Sequence, residues 1–193
     1  MTKPDDPRAG YIAIATRQFA THGFHGVSLA ALAKEAGVTK QALLHFFGTK
    51  ESLYGEVLTA LAERLSADIE AAARRDPADH LLAYFQTFRQ SALADPDDVR
   101  LVVRALLDSD ATARKWPLKT YLDTLAGLAA RTDGGRGRKQ EEILGWMSQI
   151  IGMIQYMAIS APAITGMYGR DMAQGAAMQF EGFVEDAVRR FTR

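Results

Sequence analysis

Apolar residues recur at intervals of three and four along most of the chain, and short turn clusters separate these stretches. The spacing predicts nine helices, at residues 8–21, 28–36, 39–47, 49–75, 78–93, 96–108, 114–131, 139–160 and 168–191. Alternating runs that would indicate strands are scarce. The pattern therefore predicts an all-α protein. It leaves open whether Trp116-Pro117 starts the seventh helix or kinks it.

Residues that start and stop helices stand at the predicted boundaries. Ser28, Thr39 and Thr49 are good N-caps because their hydroxyls can accept a hydrogen bond from the first turn. Gly23 can take the left-handed conformation that closes the first helix. The glycine-rich stretch 133–138 interrupts the pattern between the seventh and eighth helices, and it is predicted to be a mobile loop.

The second and third helices are short and only about three residues apart, so they must cross steeply. Ala33 is small where the helices approach, and Gly37 can take the positive φ of a tight turn. Val38 and Leu43 are apolar where they would fill the angle between the helices. The spacing predicts a helix-turn-helix at about residues 29–47. The alternative is an ordinary helical hairpin with a glycine turn.

Composition limits the class of protein without deciding it. The chain has 193 residues, of which 48% are hydrophobic and 24% charged, as expected for a soluble globular protein with a core. It has no cysteine, which excludes disulfides and thiolate metal sites and fits a cytoplasmic location. The N-terminus shows no apolar signal segment, and no apolar run of 18 residues is expected to span a membrane.

A zero net charge hides an asymmetry along the chain. Residues 1–50 carry six basic and three acidic side chains, and the remaining 143 carry 17 basic and 20 acidic ones. A basic head on an acidic body is compatible with a polyanion that binds the head, although a bias of three charges decides nothing alone.

Residues Tyr11 to Leu58 resemble the N-terminal domain of TetR-type repressors. The matching residues are Ala15, Phe19, Gly23-Phe24, Val27-Ser28, Leu32-Ala33, Ala36-Gly37-Val38, Leu43, His45, Phe47, Lys50-Glu51 and Leu53. The resemblance implies a three-helix DNA-binding domain at 8–55, and a helical domain at 56–193 that binds a small effector and forms a homodimer through its last two helices. The predicted function is that of a repressor that leaves a palindromic operator when the effector binds, and the aromatic residues of the C-terminal part favour an apolar or aromatic effector.

The predicted DNA contacts follow from side-chain chemistry as well as from the resemblance. Lys40 and Gln41 start the recognition helix; Gln can read adenine, and Lys can read guanine or bind phosphate. Ser28 and Thr39 can offer hydroxyls to phosphate, and His45 lies one turn beyond Gln41. Lys50 resembles the phosphate-binding lysine of the family.

Residue 44 departs from the family pattern. Where many members have a Gly-Thr-Leu-Tyr run, this chain has Gln41-Ala42-Leu43-Leu44. The tyrosine that would contact a phosphate is replaced by Leu44, which cannot donate a hydrogen bond. Leu44 can instead touch a thymine methyl or pack.

The C-terminal part has no motif of its own but does have two candidate surfaces. The first is an effector pocket, and the residues that would line it are Phe85, Phe88, Trp116, Tyr121, Met147, Ile151 and Tyr156. The second is a dimer interface, for which the candidates are Gly152, Ala176, Phe180, Phe183, Val184 and Ala187. Burial in the core of a single protomer is the alternative for each residue of both sets.

No arrangement typical of an enzyme is found in the sequence. It lacks a Gly-x-Ser-x-Gly elbow, a phosphate-binding glycine loop and a His-Glu-x-x-His zinc helix. His22 and His25 have a conceivable metal spacing but flank a turn. We therefore expect no catalytic residue, metal or cofactor. The alternative function is a helical small-molecule-binding or interaction protein that does not read DNA.

Overall fold

The computed structural model describes residues 7–107 and 117–193, which form nine helices and no strand. The all-α prediction is confirmed. The helices are α1 (Pro7–Gly26), α2 (Leu29–Glu35), α3 (Lys40–Phe47), α4 (Lys50–Ala71), α5 (Pro77–Ala94), α6 (Asp97–Leu107), α7 (Leu118–Ala130), α8 (Gln140–Tyr168) and α9 (Arg170–Thr192). Trp116 lies outside the described residues.

Side-chain caps fix where the helices begin. The Ser28 hydroxyl accepts from Ala31 N at 3.1 Å, and the Thr39 hydroxyl accepts from Ala42 N at 3.1 Å. At α5 the Asp76 carboxylate accepts from two first-turn amides, and Pro77 occupies the position where a missing N–H costs nothing. The caps predicted for α2 and α3 are confirmed.

Two helices extend beyond their predicted ends. The break in α1 falls at Gly23, which has φ 71°, and one more turn follows it to Gly26. Helix α8 was predicted to end at residue 160 but runs through Pro162 to Tyr168. It stops where Gly169 takes φ 82°, a conformation that L side chains rarely adopt.

Residues 133–138, which are predicted to form a mobile loop, form hydrogen-bonded turns. Gly134 N donates to Thr192 O at 3.2 Å, and Arg138 Nε donates to Gly134 O at 2.6 Å. The Arg138 guanidinium lies 5.0 Å from the centre of the Phe191 ring. Two glycines of this stretch permit close packing, because the backbone of Gly134 lies against the end of α9 and that of Gly135 lies against the end of α7.

The chain forms two compact units. Unit 1 consists of Met1–Glu63 with Asp97–Leu118, and unit 2 of Arg64–Pro96 with Lys119–Arg193, in each case as far as these residues are described. Helix α4 contributes to both units. The grouping places α6 with the N-terminal helices, whereas the predicted functional division at residues 55 and 56 remains a prediction.

Unit 1 is built around the bundle of α1 to α4, with α6 packed on α1. Phe19, Leu32 and Leu43 are almost fully buried and hold three of these helices together. The Arg104 guanidinium from α6 donates to the carbonyls of Ala20 and Thr21 at 2.8 and 2.6 Å. These carbonyls lie just before the Gly23 break, so α6 supplies the donors that the broken helix lacks.

Unit 2 packs α5 against α8 and α9 around an aromatic core. Tyr84 stacks on Phe88, and its hydroxyl lies 2.6 Å from that of Tyr121. Trp146 stacks on Phe191 at 3.9 Å. Burial, then the neighbouring hydroxyl, raises the pKa of Tyr84 well above its usual value. Burial raises the pKa of Tyr121 to about 12, so both hydroxyls stay neutral at physiological pH.

Helix α8 has the length and apolar composition of a possible membrane span, whereas the sequence pattern predicts none. By length and composition alone α8 could cross a membrane, since an 18-residue window has a mean hydropathy of 1.4. Helix α8 packs one side into unit 2 through Ile143, Met147, Ile150 and Ile154.

Candidate nucleic-acid interface

Helices α2 and α3 with the turn between them form the candidate DNA-reading unit. Gly37 has φ 68°, and Val38 N donates to Ala33 O at 2.9 Å across the turn. Ala33 and Leu43 are buried in the crossing of the helices, and Val38 is half-buried beside them. The scaffold residues predicted from the sequence thus meet in one turn of helix-turn-helix geometry.

Helix α3 has one buried and one exposed side. Leu43 and Phe47 anchor it in unit 1. Gln41 and His45 are one turn apart on the opposite side, and both are exposed. Lys40 is exposed at the start of the helix, whereas Leu44 is half-buried on the flank. The polar side chains predicted to meet DNA are therefore free to do so, and Gln41 and His45 point outward most directly.

Lys50 is held in place by two contacts. Its Nζ donates to Val27 O at 3.0 Å and lies 4.2 Å from the centre of the Phe24 ring. Phe24 in turn packs on Phe19 and Tyr54. The Lys50 ammonium therefore lies next to Val27, the residue that precedes the helix cap Ser28. Two of its three protons remain available to a ligand, since the Val27 carbonyl accepts only one.

Phe24 is a site residue that the sequence did not single out for this role. It belongs to the matching residues of the family, but it lies 26 positions before Lys50. An aromatic ring and a lysine so far apart give no periodic signal. Only the fold shows that the ring supports the ammonium.

Acidic groups near α2 and α3 are engaged by neighbours. The Glu35 carboxylate accepts from Arg17 at 3.4 Å and also from Gln18. Arg8 forms a two-bond ion pair with Glu56 and lies 5.2 Å from the centre of the Phe47 ring. These pairs reduce the repulsion that isolated carboxylates would exert on a phosphate backbone.

The residues predicted to line an effector pocket differ in their burial. Phe85, Phe88, Tyr121 and Met147 are buried in unit 2. Ile151 is half-buried, but Tyr156 is 68% exposed and faces away from the core of its own unit. The two cavities described for unit 2, of about 230 and 260 Å³, are lined by other residues.

The residues predicted to form the dimer interface also differ in their burial. Gly152 and Phe183 are exposed, and Ala176 and Ala187 are half-buried. Phe180 and Val184 lie in the core of unit 2, where they cannot offer area to a second protomer, so their assignment is corrected. They are on the side of α9 that packs inward, which sequence periodicity could not distinguish from the neighbouring apolar side.

Metal-ligating groups give no alternative site. Within the two described ranges, no three His, Cys, Asp or Glu side chains are placed to hold a metal ion. His22 and His25 are exposed near the end of α1.

The fold and this surface define an all-α protein with an N-terminal helix-turn-helix domain. Residues 12–57 match the sequence profile of the family described as bacterial regulatory proteins, tetR family. The matched segment runs from Ile12 in α1 into the first part of α4, and this part of the chain is similar to that family. The curated relatives that match this segment are described as helix-turn-helix transcriptional regulators.

Three known proteins show how far the similarity extends. The chain is 38% identical over 60 residues to the regulator RutR of Escherichia coli, which covers 31% of this chain and 28% of that protein. It is 37% identical over 57 residues to the regulator BetI of Vibrio parahaemolyticus, which covers 30% and 29% respectively. The aligned segment thus spans less than a third of either relative.

The fold of the whole chain resembles that of the regulator FadR from Bacillus subtilis, solved in complex with stearoyl-CoA. The TM-score is 0.68 with 17% identity, and the match covers 95% of this chain and 97% of FadR. At this identity the likeness concerns the fold alone.

Proposed function

We propose that the protein is a sequence-specific DNA-binding transcriptional regulator. The observation that carries this proposal is the exposed polar side of α3, opposite the buried anchors Leu43 and Phe47. Within a helix-turn-helix, this side of the recognition helix is the one that enters the major groove. Gln41 would read a base edge, and Lys40 and His45 would contact a base or phosphate. Ser28, Thr39 and Lys50 would hold the backbone.

Selection of bound DNA from random oligonucleotides tests the proposal directly. A regulator that acts as a symmetric dimer is expected to enrich a palindromic sequence, because each half-site meets an identical domain. If the purified, folded protein enriches no sequence, the proposal fails. The helical small-molecule-binding or interaction protein would then be the better assignment.

Replacing Gln41 is expected to relax specificity at one base pair of each half-site. A paired hydrogen bond to a base is worth about 1–3 kcal/mol of discrimination, or roughly 5- to 150-fold. Gln41→Ala should therefore lower affinity for the operator while equalising the four bases at a single position. Titration of all single-base operator variants measures this effect.

Gln140→Ala, at the exposed start of α8, is the matched control for Gln41→Ala and should leave the base preferences unchanged. A uniform loss of affinity by the Gln41→Ala protein on every sequence would contradict base reading.

Replacing Lys50 is expected to weaken operator and random DNA alike. One lost phosphate contact lowers the slope of log K against log salt by about 0.9. Lys50→Met removes the charge and keeps an aliphatic stem over Phe24, so it should match Lys50→Ala. DNA titration at several salt concentrations measures the slope. Lys119→Ala, at the exposed start of α7, is the control for overall charge and should not change it.

The contact with Phe24 predicts that these two residues act together. Phe24→Leu should lower DNA affinity in the wild-type background and have a much smaller effect when residue 50 is already Met. Equal effects in both backgrounds would show that Phe24 serves only the fold. An unchanged salt slope for Lys50→Met would remove Lys50 from the phosphate contacts.

We infer that the active form is a homodimer joined through α8 and α9. From Ile143 to Gly169 the chain has no charged residue, and one side of α8 is open to solvent along this stretch. Gly152, Tyr156 and Ile159 lie on that side. An exposed, charge-free surface of this length is typical of an interface. We therefore assign Tyr156 to the proposed interface rather than to the proposed pocket.

The effector is proposed to bind within unit 2 and to release the protein, as a repressor, from its operator in the cytoplasm. The buried aromatic residues Phe85, Phe88 and Tyr121 support an apolar or aromatic compound. The fold neighbour FadR, whose structure contains stearoyl-CoA, is compatible with a ligand that has a large apolar part. An effector can act only if it binds one conformation of the dimer better than the other.

A further inference from the structure

Four arginines line a recess at one end of unit 2. The recess lies between the start of α5, the end of α7, the turn that follows it and the end of α9, and its volume is about 260 Å³. We call it the arginine recess and define it by its charged lining residues, Arg131, Arg136, Arg189, Arg193, Asp76 and Asp133. None of these residues belongs to the proposed DNA, effector or dimer surfaces.

Positive charge exceeds negative charge in this lining. The lining contains four guanidinium groups and two carboxylates, and the Glu185 carboxylate pairs with Arg189 beside it, so these side chains leave a surplus of one positive charge. The Asp76 carboxylate already accepts from the amides of Ala78 and Asp79, as the cap of α5. The Asp76 carboxylate therefore also interacts with the positive end of the α5 dipole, and the net charge of the recess remains positive.

The guanidinium groups have more donors than protein acceptors. Arg136 pairs with Asp133 at 3.1 Å, and Arg189 pairs with Glu185 at 2.8 Å. Among the described residues, Arg131 and Arg193 form no ion pair, and none of the four arginines donates to a backbone carbonyl. Each guanidinium carries five N–H donors, so most donors of the group remain open to a ligand.

The helix ends beside the recess do not need these donors. The Ala129 carbonyl accepts from the amide and the hydroxyl of Thr132. The Thr192 carbonyl accepts from Gly134 N, and the Arg189 carbonyl accepts from the Thr192 hydroxyl. Because backbone and hydroxyl groups satisfy these carbonyls, capping of α7 and α9 does not account for four arginines around one recess.

The turn beside the recess is rigidly packed. A Cβ at Gly134 would lie 1.9 Å from Phe191 O, and one at Gly135 would lie 2.0 Å from Ala129 O. The backbone of this turn therefore touches the ends of both helices, and it fixes Asp133 and Arg136 opposite the last turn of α9. The turn therefore holds the backbone of Arg136 close to the end of α9, which carries Arg189 and Arg193.

We propose that the arginine recess binds a small oxyanion with several charges, of the diphosphate class. Arginine matches the geometry of phosphate oxygens through paired N–H donors, and several arginines favour a ligand with more than one anionic group. A cavity of about 260 Å³ has room for such a group but lies below the size typical of pockets for drug-sized ligands. The ligand class thus differs from the apolar effector.

Binding of inorganic diphosphate to the full-length protein tests this proposal without DNA. At ten times the dissociation constant, diphosphate should raise Tm by about 3–6 °C over sodium chloride of equal ionic strength. Inorganic phosphate should bind at least about tenfold more weakly, because it meets fewer guanidinium groups. Calorimetric titration gives both constants. No stabilisation beyond that of chloride, or equal affinity for the two anions, would overturn the proposal.

Arg131→Gln/Arg136→Gln is the variant that identifies the site. It should weaken diphosphate binding at least about tenfold and leave operator affinity unchanged, so this result is separate from the test of DNA reading. Lys119→Gln/Arg170→Gln removes the same charge from the opposite ends of α7 and α9 and should bind diphosphate like the wild type. An equal loss in both double variants would reveal general charge attraction and would overturn the site.

Discussion

Arginine in place of Gly152 is expected to convert the dimer into monomers and to lower operator affinity by more than about 100-fold. No atom outside the helix's own neighbourhood lies within 4 Å of a Cβ at this position, so the side chain fits the protomer. Arginine also favours a helix over glycine by roughly 0.8–1 kcal/mol. In the dimer, however, each protomer would bury an unpaired charge, at about 3–5 kcal/mol.

Gly182→Arg is the matched control. It makes the same substitution in α9, where a Cβ also meets open space, on the charged side of the helix that carries Asp186 and Arg189. Sedimentation and DNA titration should find this control dimeric with wild-type affinity. If the Gly152→Arg protein remains dimeric, the interface lies elsewhere. If it is monomeric and still binds the operator fully, dimerisation is not needed for DNA binding.

Alanine at Gly134 is expected to destabilise the protein by about 3 kcal/mol or more, which lowers Tm by about 6–12 °C. The added Cβ would lie 1.9 Å from Phe191 O and 2.6 Å from Arg193 O. Both are backbone atoms, so no side chain can rotate to relieve the overlap. The turn must move away from α9, and the hydrogen bond from Gly134 N to Thr192 O is lost with it.

Thermal and urea unfolding measure this effect, with Gly127→Ala as the control. Gly127 lies in α7, and its added Cβ would make only an ordinary contact at 3.9 Å with Arg131. The control should therefore be neutral or stabilised by up to about 1 kcal/mol, as expected for glycine to alanine in a helix. A Gly134→Ala protein as stable as the wild type would show that residues 133–138 are as mobile as the glycine content predicts.

The positions of the helices could be predicted from the sequence because local rules govern them. Caps such as Ser28 and Thr39, and glycines such as Gly37, act within one turn of the chain. The same holds for the exposed side of α3, since anchoring Leu43 and Phe47 inward places Gln41 and His45 outward by helix periodicity alone.

The sides of α8 and α9 could not be assigned in this way. Both helices are apolar over more than one side, so periodicity does not reveal which side packs inside the protomer. Phe180 and Val184 turned out to be core residues, and Tyr156 turned out to be exposed. The arrangement of α5, α8 and α9 decides this, and it depends on contacts between different helices rather than within one helix.

The sequence by itself thus determined the helices, the helix-turn-helix and the polar residues on the exposed side of α3, because each depends on neighbours within a few positions. Only the tertiary structure decided that Phe24 supports Lys50, that residues 133–138 pack on α9, and that four arginines share one recess. These features join segments distant in the chain, and their energies arise only once the helices have packed.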